Sequence, residues 1–200
     1  PILEESGLII PVGKWIIQNA FSMCTECRKY YPEFRVSINL SYVQILKSPL
    51  MMELKQIIDH SGISCSGIIV ELTESGYLEG TPAVRSVWND MKQLRIQIAL
   101  DDFGTGYSNL MNISNLEPDI VKLDRGFTLK ALSRSYEYQL MQYVIEMVHK
   151  LNQYVCVEGV ETKEDLEKIK ALGPDLIQGY YYSKPCSRDE FLKKFFDYSE

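Results

Sequence analysis

Short β-branched runs alternate with longer amphipathic stretches along the whole chain, and few architectures accept that rhythm. The runs, each bounded by turn residues, predict strands over Arg35–Asn39, Gly67–Leu72, Arg95–Leu100, Asp119–Leu123, Tyr154–Val157 and Asp175–Tyr181. Helical periodicity predicts helices over Pro11–Tyr30, Val43–His60, Pro82–Leu94, Ser135–Leu151, Lys163–Leu172 and Arg188–Phe196. Thr81-Pro82 offers an N-cap and a first-turn proline, and Gly173-Pro174 stops the helix before it. Strands alternating with helices imply a parallel sheet, either open and doubly wound or closed as an eight-stranded barrel. The dinucleotide-binding form of the open sheet is disfavoured. No G-x-G-x-x-G follows a strand, and "DDFGTG" carries half of it behind two acids that repel a pyrophosphate. Six strands are two short of a barrel. The expected fold is therefore α/β, a TIM-type (β/α)8 barrel with about two N-terminal strands missing, and residues 1–200 form one N-terminally truncated domain.

Charge narrows the partners. A net charge of -6 gives little attraction for long nucleic acid or an anionic membrane, so an anionic ligand must be met locally. The acidic start "PILEE" does not resemble a signal peptide, and no apolar run is long enough to span a bilayer, which makes a cytoplasmic location the expectation. Cys24 and Cys27 form a C-x-x-C inside a helical pattern, with no second pair or nearby histidine to complete a zinc site. Helix packing is the expected role. His60 and His149 stand alone on helices and are expected to be structural, and the sequons at Asn39 and Asn112 are set aside without a secretion signal.

Each predicted strand ends on or near a polar residue that a core strand would not supply: Asn39, Glu71, Asp101 with Asp102, Lys122, Glu158 and Gln178. One such residue is ordinarily a helix cap or a solvated side chain. Six in succession, about one βα unit apart, are better explained by a barrel that gathers them at its C-terminal mouth, where barrel enzymes work. Asn, Asp and Glu are hard oxygen ligands, so the set points to magnesium, manganese or calcium rather than zinc or copper. Two adjacent carboxylates coexist readily when divalent cations neutralise them, and Lys122 suits a phosphoryl oxygen or a metal-bound water. Together these parts suit phosphodiester hydrolysis by a two-metal clamp.

"NLS" at Asn39, "ELTES" at Glu71, "DDFGTGYSNL" at Asp101, "VKLD" at Lys122, "VEGVET" at Glu158 and "QGYYYSKP" at Gln178 closely resemble the EAL-domain cyclic di-GMP phosphodiesterases of bacteria. The resemblance covers essentially the whole chain. It implies hydrolysis of cyclic di-GMP to linear pGpG with Mg2+ or Mn2+, and calcium is expected to inhibit. It implies metal contacts from Asn39, Glu71, Asp101 and Asp102. Lys122 and Glu158 would hold or activate the attacking water, with the base left open between them. Gln178 would lie at the substrate rim, and Glu74 would steady the loop after "DDFG". The resemblance also implies a homodimer and an upstream sensory or GGDEF-type domain in a parent protein, with another domain as the place for any membrane anchor. The family's Glu-Ala-Leu segment is not among these 200 residues, so impaired turnover is expected of the chain as it stands. Two other readings compete: a sensor that binds cyclic di-GMP without cleaving it, and enolase-like proton abstraction, which the Asn-Glu-Asp-Lys order disfavours.

Overall fold

The computed structural model describes residues 2–73, 81–105 and 117–196. In chain order the elements are α1 (Ile2–Glu5), α2 (Ile9–Cys27), β1 (Val36–Asn39), α3 (Tyr42–Lys47), α4 (Leu50–Ser61), a 3-10 turn (Cys65–Gly67), β2 (Ile68–Thr73), α5 (Pro82–Gln93), β3 (Gln97–Phe103), β4 (Ile120–Leu123), α6 (Arg125–Ser133), α7 (Ser135–Lys150), β5 (Tyr154–Val157), α8 (Lys163–Lys170), β6 (Leu176–Ile177) and α9 (Arg188–Phe196). They fall into two compact units. One takes in the chain to Leu72, the stretch ending at Ile98 and the C-terminal part from Ser187; the other is chiefly Ala99 to Cys186. Among the described residues, no helix is long and apolar enough to cross a membrane.

In the first unit β1 and β2 pair in parallel, with Val36 opposite Ile68 and Asn39 opposite Glu71. Helix α2 buries Gly13, Ile17, Phe21, Cys24 and Cys27, a stripe at helical spacing that packs on α4 and β1. Burial pushes the Cys24 thiol up and the Cys27 thiol up to about 11, so both stay protonated at neutral pH, as expected of packing residues rather than ligands. The "NLS" motif has a local use. The Ser41 hydroxyl accepts from the Val43 N–H, and the Gln44 side chain accepts from the Ser41 N–H, a reciprocal cap that starts α3 just past the β1 end. The single helix predicted over 43–60 is two helices. Pro49 has no N–H to donate and forces Ser48 into an extended conformation, so the chain breaks there and restarts as α4. Thr81 caps α5 as predicted, accepting from the Val84 N–H.

The second unit contains the parallel set β3, β4, β5 and β6, each paired with the next. Leu100, Val121, Leu123, Val155 and Val157 are wholly buried, as expected of parallel strands covered on both faces. Helix α6 was not predicted. Asp124, directly after β4, starts it by accepting from the Gly126 and Phe127 N–H groups at 2.5 and 3.3 Å. Strand β6 is also shorter than predicted, covering Leu176–Ile177 rather than reaching Tyr181. Beyond it the backbone folds onto the segment after β5: the Gln178 N–H donates to the Val157 carbonyl at 2.8 Å, and the Val160 N–H donates to the Gln178 carbonyl at 3.3 Å.

Gly179 makes that close approach possible, because a Cβ there would stand 2.0 Å from the Val160 carbonyl oxygen. Gly179→Ala is expected to cost about 3 kcal/mol, the upper end for overpacking. Urea unfolding measures it, and a wild-type midpoint would show that the contact relaxes freely.

Candidate active site

The two adjacent acids of "DDFG" sit on an irregularity in β3. Leu100 stands opposite Val121 and Phe103 opposite Leu123, so Asp101 and Asp102 together face the single residue Lys122. Two residues against one is a β-bulge, a device that bends a strand and re-aims its side chains. Asp102 takes the left-handed conformation this requires, with φ of 60°, which Asp tolerates better than most residues. Asp101 is thereby left to face Lys122, with its Oδ1 3.0 Å from Nζ and also accepting from the Asp102 N–H at 3.0 Å.

Lys122 lies in the middle of a fully buried strand, and its side chain is only 5% exposed. An ammonium in such a place is stable only when paired. Its second partner is Glu158, with Oε1 2.5 Å from Nζ. The register explains the meeting: Lys122 stands opposite Cys156 on β5, and Glu158 lies two residues further along, hence on the same face and one pleat nearer the carboxyl end. The Glu158 N–H donates to the Leu123 carbonyl at 3.1 Å, which prolongs the ladder by one residue and fixes the side chain's origin. Gly159 then turns the chain at φ of 79°, against the Arg125 side chain.

In the first unit Asn39, the last residue of β1, is the register partner of Glu71, which lies two residues before the end of β2. Glu71 is 7% exposed, and its carboxylate accepts a hydrogen bond from the Ser37 hydroxyl. Of the other predicted site residues, Gln178 is exposed and held by its backbone between Val157 and Val160, and Glu74 lies outside the described residues. His149 Nε2 stands 2.9 Å from Asp175 Oδ2, the atom that also accepts from the Val155 N–H, and His60 Nδ1 faces the Gln56 carbonyl within α4.

Two contributors went unnoticed in the sequence. Ser37 precedes Asn39 by two residues, and the period of a strand would have put both on one face. Arg125 ion-pairs with Glu161 at 2.7 Å and ties the start of α6 to the "VEGVE" segment.

Among the described residues, no group of three or more His, Cys, Asp or Glu side chains is close enough to hold a metal ion. The side chains of Asn39, Glu71, Asp101 and Asp102 are hard-oxygen donors, the chemistry that magnesium, manganese and calcium share. The Lys122 ammonium between Asp101 and Glu158 shows that these carboxylates already hold one cation.

A sequence model described as EAL domain matches residues 1–185. Among curated proteins of Escherichia coli (strain K12), the chain is 31% identical over 185 residues to the cyclic di-GMP phosphodiesterase PdeF, across 92% of the chain and 25% of PdeF. It is 33% identical over 182 residues to the cyclic di-GMP phosphodiesterase PdeR, across 91% of the chain and 28% of PdeR. The chain thus spans about a quarter of the length of these relatives. Among solved structures, the EAL enzyme Bd1971 with cAMP and cyclic-di-GMP bound matches at a TM-score of 0.91 and 29% identity, over 96% of this chain and 54% of that one. The PaMucR phosphodiesterase in complex with c-di-GMP matches at 0.88 and 26% identity, over 96% and 78%. The fold is accordingly of the α/β, TIM-type class that the strand and helix pattern predicts.

Proposed function

The chain belongs to the EAL domain family, and on that premise we propose that its site hydrolyses one phosphodiester bond of cyclic di-GMP to give linear pGpG. The observation that carries the reading is the buried Lys122 ammonium clasped by Asp101 and Glu158 at neighbouring strand ends. Relatives named as cyclic di-GMP phosphodiesterases support it.

Asn39, Glu71, Asp101 and Asp102 would hold magnesium or manganese. When bound, these ions polarise phosphoryl oxygens and make water a better nucleophile. Lys122, the cation of two ion pairs, donates hydrogen bonds to a phosphoryl oxygen and to the attacking water. Glu158 accepts that water's proton, so of the two candidates left open by the sequence it is the base. The water oxygen forms a bond to phosphorus, the bond from phosphorus to the ribose 3′-oxygen breaks, and that oxygen takes up a proton from solvent, while the proton held by Glu158 returns to solvent. Gln178 contacts substrate at the rim, and Glu74 steadies the loop after Gly104. Calcium, with its larger and looser shell, would bind and slow the reaction.

Full turnover is expected to need the family's Glu-Ala-Leu segment, so the test belongs to the full-length protein. MucR of Pseudomonas aeruginosa, a bifunctional diguanylate cyclase and phosphodiesterase 27% identical over 196 residues, supports a GGDEF-type or sensory domain upstream in the parent. A homodimer and a cytoplasmic site, with or without a membrane anchor elsewhere in the parent, complete the proposal.

Incubation of the full-length protein with cyclic di-GMP and magnesium or manganese is expected to give pGpG by chromatography, and EDTA is expected to abolish it. Ligand bound without product would identify a sensor and overturn hydrolysis. Neither binding nor product would overturn both.

A further inference from the structure

The backbone around Glu158 is bonded on both sides of a glycine. The Glu158 N–H donates to the Leu123 carbonyl at 3.1 Å, while the wholly buried Val160 donates to the Gln178 carbonyl at 3.3 Å and accepts from the Tyr181 N–H at 3.0 Å. Gly159, between them, turns at φ of 79° and makes no hydrogen bond among the described residues. Glycine has the widest backbone freedom of any residue, so a hinge stands directly beside Glu158.

Arg125 lies across that hinge. A Cβ on Gly159 would stand 3.1 Å from the Arg125 Cα and nearer still to its Cβ and Cγ, so the arginine stem covers the glycine. The guanidinium continues to Glu161, whose Oε1 accepts from Nε at 3.2 Å and from Nη2 at 2.7 Å. At its other end Arg125 is the first residue of α6, which the Asp124 side chain caps. The side chain is thus a strap, anchored on a capped helix and tied beyond Gly159. With side-chain exposures of 58% and 37%, the ion pair is screened by water and adds little to global stability. Its place is next to Glu158, whose carboxylate meets the Lys122 ammonium.

We propose that Arg125 is a positioning residue that locks Gly159 and so aims the Glu158 carboxylate, a role that rests on the proposed reading of Glu158 as the base. A base must stay within hydrogen-bond reach of the proton it takes, and a misplacement of 1 Å can slow a reaction about 100-fold. In this role Arg125 acts only through Glu158.

The test uses the full-length protein with Arg125→Met, Arg125→Lys and Glu161→Gln, and with Arg125→Met combined with Glu158→Gln. At saturating manganese R125M and E161Q are each expected to lower kcat about tenfold, with KM for cyclic di-GMP within about threefold of wild type. R125K should stay within about threefold, because it keeps the stem across Gly159 and the charge facing Glu161. In the E158Q background R125M should bring no further loss, since nothing remains for the strap to aim. Hydrogen exchange without nucleotide reads the strap itself, and amides 159–161 should exchange about tenfold faster in R125M. Urea midpoints in EDTA should stay close to wild type. In a wild type that turns over, an unchanged kcat in R125M, a tenfold further loss in the E158Q background, or unchanged exchange would overturn the proposal. A midpoint far below wild type in both R125M and E161Q would overturn it too, by making the pair a support of the whole fold. A wild type that leaves cyclic di-GMP intact would overturn hydrolysis and the catalytic role of Arg125 together, and exchange would still decide the strap.

Discussion

Glu158→Gln is expected to lower kcat by about 10^3-fold, the middle of the range for removing a general base. Gln keeps the size and shape of the side chain but cannot accept the proton of the attacking water. The substitution is also mild structurally. Glu158 retains 20% side-chain exposure, and Lys122 keeps Asp101 as a partner. Manganese affinity should therefore stay within about threefold of wild type, because Glu158 is not among the proposed ligands. Product formation followed by chromatography at saturating manganese measures the rate, and calorimetry measures the affinity. A fall in kcat of less than tenfold would move the base to another residue. A large loss of manganese binding would instead make Glu158 a ligand.

Lys122→Met should both destabilise the fold strongly and abolish most of the turnover. Met fills similar space but leaves Asp101 and Glu158 without their shared cation, at side-chain exposures of 13% and 20%. Removing one partner of a buried ion pair costs about 3 to 5 kcal/mol, and the partial exposure of the carboxylates argues for about 3 kcal/mol. Urea unfolding in EDTA reads this directly. Manganese should restore part of the lost stability in K122M, since an ion that binds the folded state stabilises it by mass action. An unfolding midpoint equal to wild type in EDTA would mean that the two ion pairs hold nothing together. Turnover should also fall sharply, because the cation proposed to orient the water is gone.

The order of strands and helices was legible because parallel strands buried on both faces are written as short apolar runs, and the polar residue ending each run stands out against them. Capping chemistry was legible at Thr81 for the same reason: it depends only on neighbours in sequence. Pro49 was as plain a signal, yet the apolar periodicity on either side of it favours one continuous helix over 43–60, and only the backbone shows the break at Ser48. Helix α6 is short and has a weakly sided apolar pattern, and its start depends on the Asp124 side chain rather than on periodicity. The reach of β6 was overestimated because the aromatic run after Gly179 has strand composition, whereas its course is set by backbone packing against Val160.

At the site, the residue types were readable and the pairings were not. That two acids would face one lysine follows from a register slip between Leu100 and Phe103, which no local pattern encodes. That Lys122 would meet Glu158 as well follows from the β4 and β5 register. Ser37 escaped notice because a lone serine in a strand carries no chemistry until its partner, Glu71, is known.

The most direct test of the account is a crystal structure of the full-length protein with calcium and cyclic di-GMP, the slow ion being chosen to keep the ligand uncut. The account predicts calcium with Glu71 and Asp101 oxygens and a phosphate oxygen at about 2.3–2.6 Å, Asn39 and Asp102 on the ions or their waters, and Glu158 beside the water in line with the 3′-oxygen. Calcium and ligand bound elsewhere, with Glu71 and Asp101 contacting neither, would contradict it.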